Sequence, residues 1–121
     1  MKENSIVLVM HPLKIVRTAI KSMLGNSLLR LTVYEHAAFE VPLPLYNGQL
    51  PNLLITDVYY EELMPVGFML ELVEKYKGLK MIAASSQSFG KDYILNTGHV
   101  IVLSKKVSEQ ELGSAVSKLL L

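Results

Sequence analysis

Short apolar runs along the chain alternate with stretches in which apolar residues recur every three or four positions. Residues 6–10, 29–34, 53–56, 80–84 and 100–103 predict five strands. The first, third and fifth runs are apolar throughout or nearly so, the pattern of strands in a parallel sheet covered on both faces. The second is more mixed, as suits an edge strand. Between the first two runs, Leu13, Val16, Ile20 and Met23 lie at helical spacing, with Pro12 at a first-turn position. Lys14, Arg17 and Lys21 form a basic stripe on the other side of that helix, which reads as a solvated face. Met69, Leu72, Val73 and Tyr76 make a second helical face, with Glu71, Glu74 and Lys75 outward.

The last helix is the best marked. Ser108 and Glu111 spell a capping box, and Leu112, Ala115, Val116, Leu119 and Leu120 then fall on one side. Two other helices are weakly specified. Pro42 and Pro44 interrupt residues 37–46, and Asn47-Gly48 reads as a turn. Residues 90–96 carry little helical pattern, with Gly98 as the expected stop. This alternation, with short links, implies right-handed crossovers. The expected fold is α/β: a flavodoxin-like, three-layer doubly wound sandwich on a five-stranded parallel sheet of order 2-1-3-4-5.

Composition narrows the class of protein. At 121 residues, 50% of them apolar and 19% charged, residues 1–121 are expected to form a single domain with a two-sided core. A net charge of +1 gives no concentrated basic face, so this segment is not expected to bind nucleic acid directly. The absence of cysteine removes disulfides, thiolate nucleophiles and cysteine-based zinc sites. The first apolar run is only five residues long, too short for a signal-peptide core or a membrane span, so a cytoplasmic protein with no membrane partner is expected.

Candidate chemistry gathers at the ends of the runs. Leu53, Leu54, Ile55 and Thr56 lead into Asp57, while Val100, Ile101, Val102, Leu103 and Ser104 lead into Lys105. In an open α/β sheet, ligands bind outside the carboxyl ends of the strands, so this pattern aims an acid and a base at one crevice. Ser85 closes the fourth run. The first run, by contrast, passes into His11 and Pro12 with no carboxylate beside it. The three histidines and the acids show no spacing of a transition-metal site.

With the strands so placed, the chain resembles the receiver domain of two-component response regulators, the CheY-like family, over essentially its whole length. The run ending in Asp57 matches the family's strand that carries the phosphoacceptor aspartate. Ser85, followed by the small Ser86, matches the hydroxyl residue after the fourth strand. Residues 103–112 match the segment in which a lysine, here Lys105, precedes the last helix. The resemblance implies that Asp57 is the phosphoacceptor-like residue and that Ser85 and Lys105 are phosphoryl-site-like. It also implies Mg²⁺, held in the family by an acidic pair after the first strand.

That pair is missing. A gapless register puts His11 and Pro12 at its positions, and a register anchored on the His-Pro of LuxR-type (NarL/FixJ) regulators puts Val9 and Met10 there. Neither supplies a carboxylate, and Mg²⁺ sites normally include one or two. No cofactor is therefore expected, and Mg²⁺ binding has nothing to rest on. Val102 replaces the family's switch aromatic, Lys106 stands where a proline follows the lysine, and Pro65 lies farther than usual from Asp57. These departures indicate a degenerate receiver, with Asp57 and Lys105 kept as a structural pair.

The expected protein is not an enzyme but a regulatory module of a signal-transduction or transcription regulator, acting by dimerisation or partner docking without phosphorylation. Its expected partner is a second copy or a related regulator. The alternative is a working phosphoacceptor, phosphorylated on Asp57 by a histidine kinase. The apolar end at Leu119, Leu120 and Leu121 suggests a covering partner or a longer polypeptide. In the latter case DNA would be reached only through a helix-turn-helix farther along. A small flavodoxin-like enzyme or nucleotide binder fits poorly, because the turn after the first strand has no glycine to bring backbone amides to a phosphate.

Overall fold

The apolar runs form strands β1 (Ser5–Met10), β2 (Leu31–His36), β3 (Leu53–Asp57), β4 (Lys80–Ser85) and β5 (Val100–Ser104). In the computed structural model they make one parallel sheet of order β2-β1-β3-β4-β5, the expected doubly wound arrangement. The structure describes residues 4–27, 29–37, 42–57, 71–72, 74–76, 78–85, 100–104 and 108–121. Helix α1 (Lys14–Leu24) follows β1, and helix α2 (Glu109–Leu120) follows β5. Glu71, Leu72, Glu74 and Lys75 are helical ahead of β4. The expected helix at 90–96 and its stop at Gly98 lie outside the described residues.

Strand alternation sorts the sheet's side chains into two cores. Val7, Val9, Leu53, Ile55 and Ile82 pack with Leu24 of α1 and with Leu112, Ala115 and Val116 of α2. On the opposite face Leu8, Met10, Leu54 and Met81 pack with Leu43, Leu72 and Leu79, edged by Tyr34, Tyr46 and Tyr76. Continuous hydrophobicity in β1 and β3 thus reflects burial on both sides.

Three local expectations need correction. Helix α1 begins at Lys14 with Leu13 as its N-cap, so Pro12 precedes the cap instead of occupying the first turn. Leu13 is consequently exposed, and the buried side of α1 is built from Ile20, Met23 and Leu24. Strand β2 starts two residues later than the apolar pattern suggests. The Leu29 N–H bonds the Ser27 hydroxyl at 3.1 Å, a local turn that keeps it out of the ladder although its side chain still packs on the core.

The third correction concerns the link from β2 to β3. Among the described residues it contains no helix. Tyr46 and Gln49 exchange two backbone hydrogen bonds of 2.8 and 3.0 Å around the expected Asn47-Gly48 turn. Both central residues have positive φ, 55° and 76°, as a type I′ turn requires, and glycine meets this requirement without strain. At the other end of the chain the expected capping box is formed. The Ser108 hydroxyl accepts from the Glu111 N–H, and the Glu111 carboxylate accepts from the Ser108 N–H, each at 3.1 Å.

Candidate functional site

The carboxyl ends of all five strands line one edge of the sheet, and strand register decides which sequence-predicted residues meet there. Asp57, the last residue of β3, is level with Ala84 of β4. Ser85, the last residue of β4, is level with Ser104 of β5. Lys105 follows Ser104 directly in sequence and itself lies outside the described residues, as does the loop after Asp57. On the other side Met10 of β1 is level with Thr56, so His11 is the next residue along the line beside Asp57. The sheet therefore gathers Asp57, Ser85 and His11 at one edge, from positions 11 to 85 of the chain.

The four positions considered for an acidic pair separate into two kinds. Val9 and Met10 are fully buried strand residues, one in each core. His11 and Pro12 follow the strand. His11 is only 3% exposed. Its N–H donates to the carbonyl of His36, the last residue of β2, at 3.0 Å, which carries the β1–β2 ladder one residue beyond β1. Its Nδ1 accepts from the Leu13 N–H at 3.0 Å. That bond needs a lone pair on Nδ1, which assigns the neutral imidazole's proton to Nε2 by geometry. His11 thus fastens the start of α1 to the end of β1, a task a proline-preceded helix without a side-chain cap leaves unfilled.

The basic stripe of α1 plays a part that helical spacing did not reveal. Arg17 donates through Nη1 to the His11 carbonyl at 2.6 Å and through Nε to the Glu35 carboxylate at 3.2 Å. Lys21 stands 3.8 Å from the other oxygen of Glu35. The Arg17 side chain is only 13% exposed, so the guanidinium is an internal strut between α1, β1 and β2. Lys14 remains a solvated residue, as expected. The sequence signal that could have found the strut is Glu35 in the strand that follows α1, a carboxylate that calls for a cation on the helix beside it.

These contacts test the fit of Mg²⁺ to this edge. Glu35, level with Val9 of β1, could offer carboxylate oxygens, but both are committed to Arg17 and Lys21. At the end of β1 the donors are an imidazole and a carbonyl already bonded to Arg17. Mg²⁺ prefers oxygen ligands and commonly takes one or two carboxylates. Among the described residues no group of three or more histidines and acids could hold a metal ion. The residues at the end of β1 do not fit the ion.

No protein-family model matches the chain, and no curated protein matches it either. Solved structures do. The signal receiver domain of an HD domain-containing protein from Pseudomonas fluorescens Pf-5 superposes with a TM-score of 0.79 at 16% identity, covering 98% of this chain and 95% of that one. The receiver domain of the Francisella response regulator 1452 gives 0.76 at 21% identity, with 96% of each chain covered. The response regulator TrrA from Thermotoga maritima, solved in complex with Mg²⁺ and a beryllium fluoride, also gives 0.76, at 20% identity, covering 96% of this chain and 99% of that one. No helix among the described residues is long and apolar enough to cross a membrane. With its five parallel strands in the order 2-1-3-4-5 and these neighbours, the chain has the CheY-like, flavodoxin-type fold of receiver domains.

Proposed function

We propose that this chain is an atypical receiver domain, a pseudo-receiver, of a signal-transduction or transcription regulator. It works by dimerisation or partner docking, largely independently of phosphorylation. The observation that supports this reading is the end of β1, where His11 is built into the sheet and Arg17 takes up Glu35. Phosphoryl transfer to a carboxylate is chiefly a matter of positioning and neutralising spread-out negative charge. Here the positive charge beside β1 is a guanidinium already neutralised by its own glutamate. Asp57 and Lys105 are then retained as a structural pair. Exposed apolar residues near the same edge, Ile15 at 77% and Leu13 at 41%, supply surface for a protein partner. That partner is a second copy or a related regulator, and DNA is reached only through a separate helix-turn-helix unit.

The second reading, a phosphoacceptor at Asp57 served by a histidine kinase, is favoured by one observation. Asp57 and Ser85 end adjacent strands at the same edge, and a neighbour of the same fold was solved with Mg²⁺ and a beryllium fluoride. Intact-mass measurement after incubation with acetyl phosphate and Mg²⁺ separates the two. The pseudo-receiver keeps its mass under conditions that label an ordinary receiver. A gain of one phosphoryl group that disappears in Asp57→Ala establishes the second reading. Light scattering tests the dimer version, which a strict monomer at high concentration defeats.

A further inference from the structure

At the amino ends of the strands, the pole opposite Asp57, the molecule contains a cleft of about 570 Å³. It lies between the start of β1 at Ser5, the residues entering β3 and β4, and the end of α2 at Leu120. This volume falls within the range of small-molecule sites, about 300–1,000 Å³. In parallel α/β sheets ligands usually bind at the other edge, so the cleft owes nothing to the crevice at Asp57.

Three of the polar side chains around it, beside the hydroxyls of Ser5 and Tyr76, share one character. Lys75 and Lys80 both line the cleft, and among the described residues neither makes an ion pair. Lys75 is 5.8 Å from the Tyr76 ring centre, at the outer limit of a cation–π contact, so its ammonium has three donors to offer. Lys80 is half-buried at the first position of β4. Asn52 uses its Oδ1 to accept the Ile6 N–H at 2.6 Å, which commits the acceptor end of the carboxamide and leaves the NH₂ end as donor. The uncommitted groups of these three side chains are therefore all donors. Leu50, Leu79 and Leu120 supply apolar wall between them.

We propose that this cleft binds a small organic anion with an apolar body, an aromatic or branched aliphatic carboxylate. The carboxylate bridges Lys75 and Lys80 with the Asn52 amide beside it, and the hydrocarbon part covers the leucines. Inorganic phosphate satisfies only the charge, and a neutral amide only the apolar wall. Recognition requires both.

The test is a titration of the 121-residue chain, followed by the backbone amide spectrum of Ser5, Asn52, Gly78, Leu79 and Lys80. Phenylacetate is the probe, with phenylacetamide and inorganic phosphate as controls. Phenylacetate should shift this group of amides together and saturably. Lys75→Gln and Lys80→Met should each raise the midpoint about tenfold, the loss of one charge-assisted contact. Lys75 is exposed, so Lys75→Gln carries the test even if Lys80→Met fails to fold. Asp57→Ala should leave the titration unchanged, which keeps this site separate from the receiver reading. Equal response to phenylacetamide, equal response to phosphate, or shifts scattered over the surface would each overturn the proposal.

Discussion

The two faces of the sheet are covered in different ways. One lies under α1 and α2, whose Leu24, Leu112, Ala115 and Val116 meet Val7, Val9, Ile55 and Ile82 through regular helical spacing. The other is covered in part by an irregular segment, from which Leu43 reaches Leu8, Met10, Leu54 and Met81. A helix satisfies its own backbone, so its apolar stripe can be laid on a sheet without further help. The irregular cover needs pins. The Tyr76 hydroxyl accepts the Leu43 N–H at 2.8 Å, and Tyr34 stacks on Tyr46 with ring centres 3.9 Å apart. The type I′ turn at Asn47-Gly48 returns the chain toward β3. Helical cover is thus held by periodic packing, and irregular cover by a few individual contacts.

Core truncation should give the largest effects on either face. Leu112→Ala and Leu43→Ala should each destabilise by about 2–5 kcal/mol. Leu112 should lie nearer the upper end, because α2 and the sheet cannot both close on the cavity while the segment around Leu43 can relax. Urea denaturation of the two variants tests this, and a greater loss for Leu43→Ala would reverse the comparison. Next comes Tyr76→Phe, which leaves the Leu43 N–H without its acceptor at a cost of about 1–3 kcal/mol. Faster hydrogen exchange confined to the Leu43 side should accompany it. Exchange quickening equally under α1 and α2 would show that the pins are not local.

Ser108→Ala removes half of the capping box and should cost about 1 kcal/mol, read as a lower urea midpoint with unchanged slope. The smallest effect is one of pH. Burial, and then the neighbouring Tyr34 hydroxyl, raise the Tyr46 pKa above its ordinary 10.0. The folded state therefore holds this proton more firmly than the unfolded chain does. Its contribution is complete below pH 10.0 and is lost as pH rises through the raised value. The urea midpoint should fall over that window, and less steeply in Tyr46→Phe. Identical pH profiles would remove Tyr46 from the account.

The candidate site was legible on one side and opaque on the other. Asp57 and Ser85 announce themselves because each ends an apolar run, and parallel register then brings run ends together at one edge. The lack of a carboxylate after β1 is equally plain from His11 and Pro12. The meaning of Arg17 was hidden. As one member of a basic stripe it reads as a solvated residue, and helical spacing says nothing of a carbonyl on β1 or a carboxylate on β2. Glu35 was overlooked for the same reason, since its partners are 14 and 18 residues away.

Local sequence pattern determined the five strands, the burial of β1 and β3 on both faces and the capped last helix, and general crossing rules added the order of the sheet. Each of these depends on neighbours within a few residues or on general rules of chain crossing. Tertiary structure decided the start of α1 after Pro12, the late start of β2 and the cover built from Leu43 and three tyrosines. It also decided the commitment of Glu35 to Arg17 and the donor-lined cleft at the amino pole. These features join residues far apart in the chain, through single hydrogen bonds and ion pairs that leave no periodic trace in the order of amino acids.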